Sequence, residues 1–238
     1  MRWALLVSCE HASFDLPPGL DLGLPEEVLR SHTGWDEGAR PVAERVARTF
    51  AAPAHYGAYT RLIADLNRSP TNPEVVPAIA FGTAVPGNHG LSAAERQARV
   101  ERYHQPYWRL VLADLCRLFL ADPSRAVLHL SVHSFTPELN GQVRPMKVGV
   151  LYDPAQPLEA LVARTLVTAY QEAGLSLAEN GPYDGRADAL TTACRNFFRA
   201  ERYAGVEIEL NQGHLFELER LSQPLLQGLS QLLGQRDA

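Results

Sequence analysis

Residues 5–17 read LLVSCEHASFDLP. The run opens as a short apolar segment of the kind that becomes a buried strand, breaks into Ser-Cys-Glu-His, and then meets two prolines that end it. A strand that closes on a thiol, a carboxylate and an imidazole points to an open α/β sheet, where reactive groups gather at strand ends. Two later strands end in the same manner. AVLHLSVHSF (126–135) carries His133 near its end, and YAGVEIELNQ (203–212) carries Glu207 and Glu209 on one face with Ile208 on the other.

Helical patterns separate these strands, as expected where helices cross over between them. GARPVAERVARTF (38–50) and PLEALVARTLVTAYQEAG (157–174) place apolar residues at helical spacing. SAAERQARVERYHQPYWRLVLADLCRLFLA (92–121) begins with Ser92 and Glu95, a capping box, and contains Pro106, which should kink or divide it. WALLVS is the first strand, AAPAHYGAYTRLIADLNR passes through an edge strand, and KVGVLYD (147–153) is a further strand. The stretch from Ser69 to Gly90, rich in Pro, Gly and Asn, reads as a long loop, as does NGPYDGRADALTT (180–192). No repeat or linker interrupts the chain, so residues 1–238 are expected to form one α/β domain.

Composition narrows the function. The 238 residues are 46% hydrophobic, enough for a sizeable single core. A formal charge of −5 argues against nucleic-acid binding. No run approaches the ~18 apolar residues of a membrane span. Three scattered cysteines (Cys9, Cys116, Cys194) without CxxC spacing suit a reducing compartment and no disulfide framework. The N-terminal apolar run, Trp3 to Ser8, is shorter than a signal-peptide core, and the expectation is a cytoplasmic protein. Lys147 is the only lysine, which leaves arginines as the residues able to grip carboxylates.

The strand ends bring together His11, His133 and carboxylates, a donor set that suits a catalytic zinc, with a further glutamate available as base. Each group also has a plain structural reading. A histidine at a strand end is often simply hydrogen-bonded, Glu207 and Glu209 can be salt-bridge partners, and Cys9 most often packs as a small hydrophobe. TRLIADLNR adds Arg61, Asp65, Asn67 and Arg68 within eight residues. Planar guanidinium groups bind carboxylates with paired hydrogen bonds, so an Asn-Arg pair beside a metal suits an acidic substrate. Asp65 is read as the group that holds an arginine in place.

In order along the chain, EHASFDLP, HTGWDEGA, TRLIADLNR, ERYHQPYW, HSFTP and VEIELNQ resemble the N-formylglutamate amidohydrolase family, over most of the sequence. That family is similar in fold to the zinc carboxypeptidases. The resemblance implies a single-domain mixed β-sheet flanked by helices, zinc-exopeptidase-like (phosphorylase/hydrolase-like), and zinc-dependent cleavage of the amide bond of an N-acyl amino acid such as N-formylglutamate. It makes His11 and His133 zinc ligands. The carboxypeptidases take a further ligand three residues after the first histidine, but Phe14 stands there and cannot ligate. Asp36, otherwise an N-cap, is chosen as the third ligand, with Glu10 as rival.

The resemblance further makes Glu209 the general base, with Glu207 as rival, and Arg61 the group facing the developing oxyanion. Asn67 and Arg68 hold the substrate carboxylate. Tyr183 and Arg186, in the loop before the last strand, line the pocket. That loop lacks the glycine-rich Thr-Arg stretch of the deformylases, so the reaction class is better supported than formylglutamate itself. His104 is read as structural in the main. The implied partner is a small acidic molecule, with no nucleic acid and no membrane. Two other readings stay open: a carboxypeptidase-like or deacylating metallohydrolase with a different carboxylate-bearing substrate, and a degenerate, non-catalytic carboxylate-binding protein.

Overall fold

A computed structural model describes residues 2–234. In chain order the elements are β1 (Trp3–Cys9), α1 (Glu26–Leu29), α2 (Ala39–Phe50), β2 (Ala54–Tyr56), β3 (Ile79–Ala80), β4 (Thr83–Ala84), α3 (Ala93–Arg99) and α4 (Gln105–Ala121). They continue with β5 (Ala126–Phe135), β6 (Glu138–Leu139), β7 (Gln142–Val143), β8 (Val148–Leu151), α5 (Pro157–Glu172), β9 (Leu177–Glu179), α6 (Leu190–Phe197), β10 (Tyr203–Asn211) and α7 (Leu218–Gly234). Six strands form one mixed sheet in the order β2-β1-β5-β10-β8-β9, and β3–β4 and β6–β7 are separate hairpins.

The sheet is parallel except where β8 runs against β10. The expected α/β fold with a mixed sheet flanked by helices is therefore what forms. The strand ending in VEIELNQ is last in sequence but central in space, between β5 and β8. Because β1, β5 and β10 are parallel neighbours, their C-terminal ends open at one edge and bring His11, His133 and Glu209 to the same place.

Period-two alternation divides the sheet into two faces. On one, Leu5, Val7, Leu128, Leu130, Val132, Val206, Ile208 and Leu210 pack against α2, α5 and α7 in the main apolar core. The other begins apolar, with Ala4, Leu6, Val127 and Tyr203 against α4 and α6. It turns polar toward the strand ends, where Ser8, Glu10, His129, Ser131, His133, Glu207 and Glu209 are all buried.

The long helical segment opens with the Ser92–Glu95 capping box and, where a kink or division is expected at the proline, stays helical throughout, changing only its hydrogen-bond register just ahead of it. The change of register is a π turn, Val100–His104, and Pro106 follows it in the first turn of α4. The Ser69–Gly90 segment is irregular except for the β3–β4 hairpin and one 3-10 turn, Pro86–Asn88. Among the described residues, no helix is long and apolar enough to cross a membrane. All three cysteines are free thiols.

Candidate active site

At the end of β1 the chain turns, and the His11 carbonyl accepts a hydrogen bond from the Asp36 backbone N–H at 3.0 Å. That bond brings the GWDEGA segment against the strand ends. Asp36 does not cap the following helix, whose N-cap is Gly38 without any side-chain bond. Its carboxylate turns inward instead. Asp36 Oδ2 lies 3.2 Å from His11 Nδ1, 2.8 Å from His133 Nδ1 and 3.3 Å from the Ser134 N–H. One donor atom from each of His11, Asp36 and His133 falls within 4.8 Å of the others, and all three residues are buried.

The far nitrogen of each imidazole meets a second carboxylate. His11 Nε2 is 2.7 Å from Asp65 Oδ1, and His133 Nε2 is 3.1 Å from Glu10 Oε2. Both rings therefore present Nδ1 to the same point, oriented from behind, as metal-binding histidines are. Two imidazoles and one carboxylate, buried and converging, fit a zinc-type divalent ion by donor chemistry and spacing. Glu10 is not the third member of this set. It points along the sheet to Ser131 Oγ (2.5 Å), Tyr107 Oη (3.1 Å) and His133, away from Asp36.

The field inside the cluster favours a cation. Burial opposes ionisation of Glu10, yet the bonds from His133 and Ser131 bring its carboxyl down to about 2. Burial acts against Asp36 and Asp65 as well, but His11 with Arg61, and for Asp36 also His133, hold both well below the usual carboxylate range. Burial likewise disfavours charge on His133, while its bonds to Asp36 and Glu10 push it well above an ordinary imidazole. Positive charge at this point is stabilised by carboxylates on two sides.

Beside the triad lies a cavity of about 230 Å³, whose walls include Arg61, Arg68, Phe81, Tyr183, Glu207 and Glu209. The two glutamates differ. Glu207 accepts from Thr191 Oγ1 and, at 3.3 Å, from Asn67 Nδ2. Glu209 Oε2 is buried without a hydrogen-bond partner among the described residues. Burial, with the charges of Asp36 and Glu207, pushes the Glu209 carboxyl up to about 8, against the opposing pull of His133 and Arg61. Gly149, paired with Glu209 across β8, has no room for a side chain: a Cβ would lie 2.2 Å from the Gly181 carbonyl oxygen.

The arginines are placed unequally. Arg61 bridges Asp65 Oδ2 (3.0 Å) and Asp36 Oδ1 (3.4 Å), so Asp65 does hold an arginine, while its other oxygen orients His11. Arg68 faces the cavity and donates to the Asp188 carbonyl at 3.2 Å. Asn67, expected to share a substrate carboxylate, has both ends of its amide engaged inside the protein: Oδ1 accepts from Leu190 N–H at 3.0 Å and Nδ2 donates to Glu207. Arg186 departs from expectation. Its guanidinium is drawn to Asp184 two residues away (2.6 Å), and its side chain, 63% exposed, stays at the surface outside the cavity wall.

Cys9 packs in the apolar core, and burial with the nearby Glu10 and Asp36 charges raises its thiol well above the ordinary value. A buried thiol held in its protonated form suits packing and not nucleophilic attack. His104 stacks on Trp108, its Nε2 bonds the Arg68 carbonyl at 2.7 Å, and Trp108 Nε1 bonds the Leu66 carbonyl at 2.7 Å. Together they fix the backbone on both sides of Asn67.

The sequence model of the N-formylglutamate amidohydrolase family matches residues 3–215. No curated protein matches the chain. Among solved structures, a gene product of Agrobacterium tumefaciens is similar at 29% identity and a TM-score of 0.81, over 97% of this chain and 88% of that one. The N-formylglutamate amidohydrolase of Ralstonia eutropha JMP134 shares the fold at 19% identity and a TM-score of 0.69, over 94% of this chain and 91% of that one.

Proposed function

The chain belongs to the N-formylglutamate amidohydrolase family, and on that premise we propose that it is a zinc-dependent hydrolase of an N-acyl amino acid, with N-formylglutamate the first substrate to try. His11, Asp36 and His133 would hold the ion. When bound, it would polarise the scissile carbonyl and acidify the attacking water. The observation that carries the reading is Glu209, whose buried, unpartnered carboxylate oxygen shares a cavity with the triad.

Glu209 is the general base. It takes one proton from the attacking water as oxygen adds to the acyl carbon, then delivers that proton to the leaving nitrogen as the C–N bond breaks. A carboxyl with raised proton affinity can hold the proton between the two halves of this shuttle, and a divalent ion on the neighbouring triad would favour the ionised form needed for the first. Glu207 is tied to Thr191 and Asn67 and is unsuited to the task. Arg61 stands beside Asp36, placed to stabilise charge building on the carbonyl oxygen. Arg68 takes the substrate carboxylate, and Asn67 positions Glu207 and the start of α6.

Metal analysis with activity assays tests the reading. Chelator-treated protein should be inactive, and stoichiometric zinc should restore hydrolysis of at least one member of a panel of N-formyl, N-acetyl and dipeptide substrates. Full turnover in chelator, with no stoichiometric metal in the purified protein, would overturn it.

A further inference from the structure

Among the described residues two hairpins have two-residue turns, and they differ in one telling residue. The β6–β7 hairpin turns on Asn140-Gly141, with φ of 52° and 74°. Asn-Gly is the pair such a turn favours, because both central residues need positive φ. The β3–β4 hairpin turns on Phe81-Gly82, with φ of 48° and 80°. Phenylalanine has no side-chain polarity to ease the left-handed region, and its Cβ crowds the carbonyl there. Strain of this kind is found where the side chain has a task.

The ring's surroundings indicate the task. Phe81 lines the cavity, with the Arg61 guanidinium 5.5 Å from its centroid and the His32 ring edge-on at 5.4 Å. Arg61 in turn contacts Asp36, so the ring belongs to the triad side of the cavity, whereas Arg68 belongs to the Asp188 side. The ring is nevertheless 40% exposed, and Tyr183, at 37%, is a second partly exposed aromatic on the same cavity. With the amino-acid carboxylate on Arg68 and the scissile carbonyl at the triad, the acyl group extends toward Arg61 and Phe81. Arg61 is engaged by Asp36, Asp65 and, in the hydrolase reading, the scissile carbonyl oxygen, which leaves it no free donor for a second anion on the acyl group. An apolar acyl group would cover the exposed ring, which a formyl group is too small to do.

We propose that Phe81 is a specificity-determining residue, the apolar wall of an acyl subsite that selects N-acyl amino acids with apolar acyl groups larger than formyl. The inference rests on the hydrolase reading above. Its test compares zinc-loaded wild type, Phe81→Asn and Phe81→Tyr on N-formyl-, N-acetyl-, N-butyryl- and N-phenylacetyl-glutamate, with calorimetric affinities for the same series and melting temperatures.

Wild type should prefer the larger apolar acyl groups. Phe81→Asn restores the favoured turn pair, so its Tm should rise by about 2–4 °C, while the preference for phenylacetyl over formyl falls about ten-fold, chiefly through KM. Phe81→Tyr keeps the ring and should keep the preference. A wild type that prefers formyl, a Phe81→Asn protein that loses all substrates equally, or one that melts lower would each overturn the assignment. Absence of turnover on every substrate would sink the hydrolase reading alone, since the acyl-dependent affinities still decide the role of Phe81.

Discussion

The two faces of the central sheet are built from alternate residues of the same strands, yet they do different work. On the face toward α2, α5 and α7, every second residue of β1, β5 and β10 is apolar and buried, apart from Ser134 at the end of β5. On the other, the strand ends bury Ser8, Glu10, His129, Ser131, His133, Glu207 and Glu209. Burying such groups is unfavourable unless each finds a partner. Almost all do, through cross-strand bonds such as Ser8 to His129 (2.8 Å) and Ser131 to Glu10 (2.5 Å). The exception, Glu209 Oε2, lies in the cavity. A one-residue alternation thus separates the surface that stabilises the fold from the surface arranged for chemistry.

The hardest way to break this contrast is at its exception. Glu209→Gln keeps the shape and removes the proposed base, so kcat should fall by about 10²–10⁴-fold while zinc content stays stoichiometric. Retained turnover would move the base to another group. The mirror experiment lies on the apolar face. Leu130 is fully buried between Glu10-facing Ser131 and His129 in sequence but points to the opposite side. Leu130→Ala should cost about 2–5 kcal/mol of stability by denaturant titration, with kcat of the folded protein little changed. A large kcat loss would mean that the faces are not separable.

Alternation was also what the sequence displayed most clearly. Apolar runs marked β1, β5, β8 and β10, and their ends marked His11, His133 and Glu209, because a strand's period is written in adjacent residues. Contacts set by register were not visible. Glu10 does point away from His11, as neighbours on a strand should, but it thereby reaches His133 on the next strand. Asn67 lines the cavity beside Arg68, but its bonds to Leu190 and Glu207 join residues distant in sequence and are not legible there. Arg186 looked like a pocket residue until Asp184 claimed it. The Phe81-Gly82 turn carries no ordinary turn signal, since its first residue is not one that such turns favour.

His129 probes the cost of the polar face directly. It lies between Ser8 Oγ and Tyr203 Oη (3.0 Å), and burial lowers its imidazole to about 4, with Glu10 opposing. The unfolded chain, with an ordinary imidazole near 6.5, binds the proton more readily than the fold does. Its stabilising contribution is therefore complete above pH ~6.5 and is lost as pH falls toward 4, by about 3 kcal/mol in all. Stability measured from pH 4 to 7 on wild type and His129→Asn should show a steeper acid limb in wild type. Parallel curves would mean that His129 is not kept neutral by the fold.

The smallest expected effect asks whether the buried polar rows serve the site or merely satisfy themselves. Glu10 lies outside the cavity wall and touches no group proposed to meet substrate, yet it sits on the far nitrogen of His133. A carboxylate there fixes the imidazole's orientation and raises its basicity toward a metal. Glu10→Gln retains the volume and the bonds available to Tyr107 and Ser131, but removes the charge. Zinc affinity, read by competition with a chromophoric chelator, should weaken about 10–100-fold. The apolar face should not register the change, so the denaturant m-value should match wild type. Unaltered zinc affinity would show that the Glu10–Ser131–His133 row is held for packing alone, and that the division between the two faces stops at the residues lining the cavity.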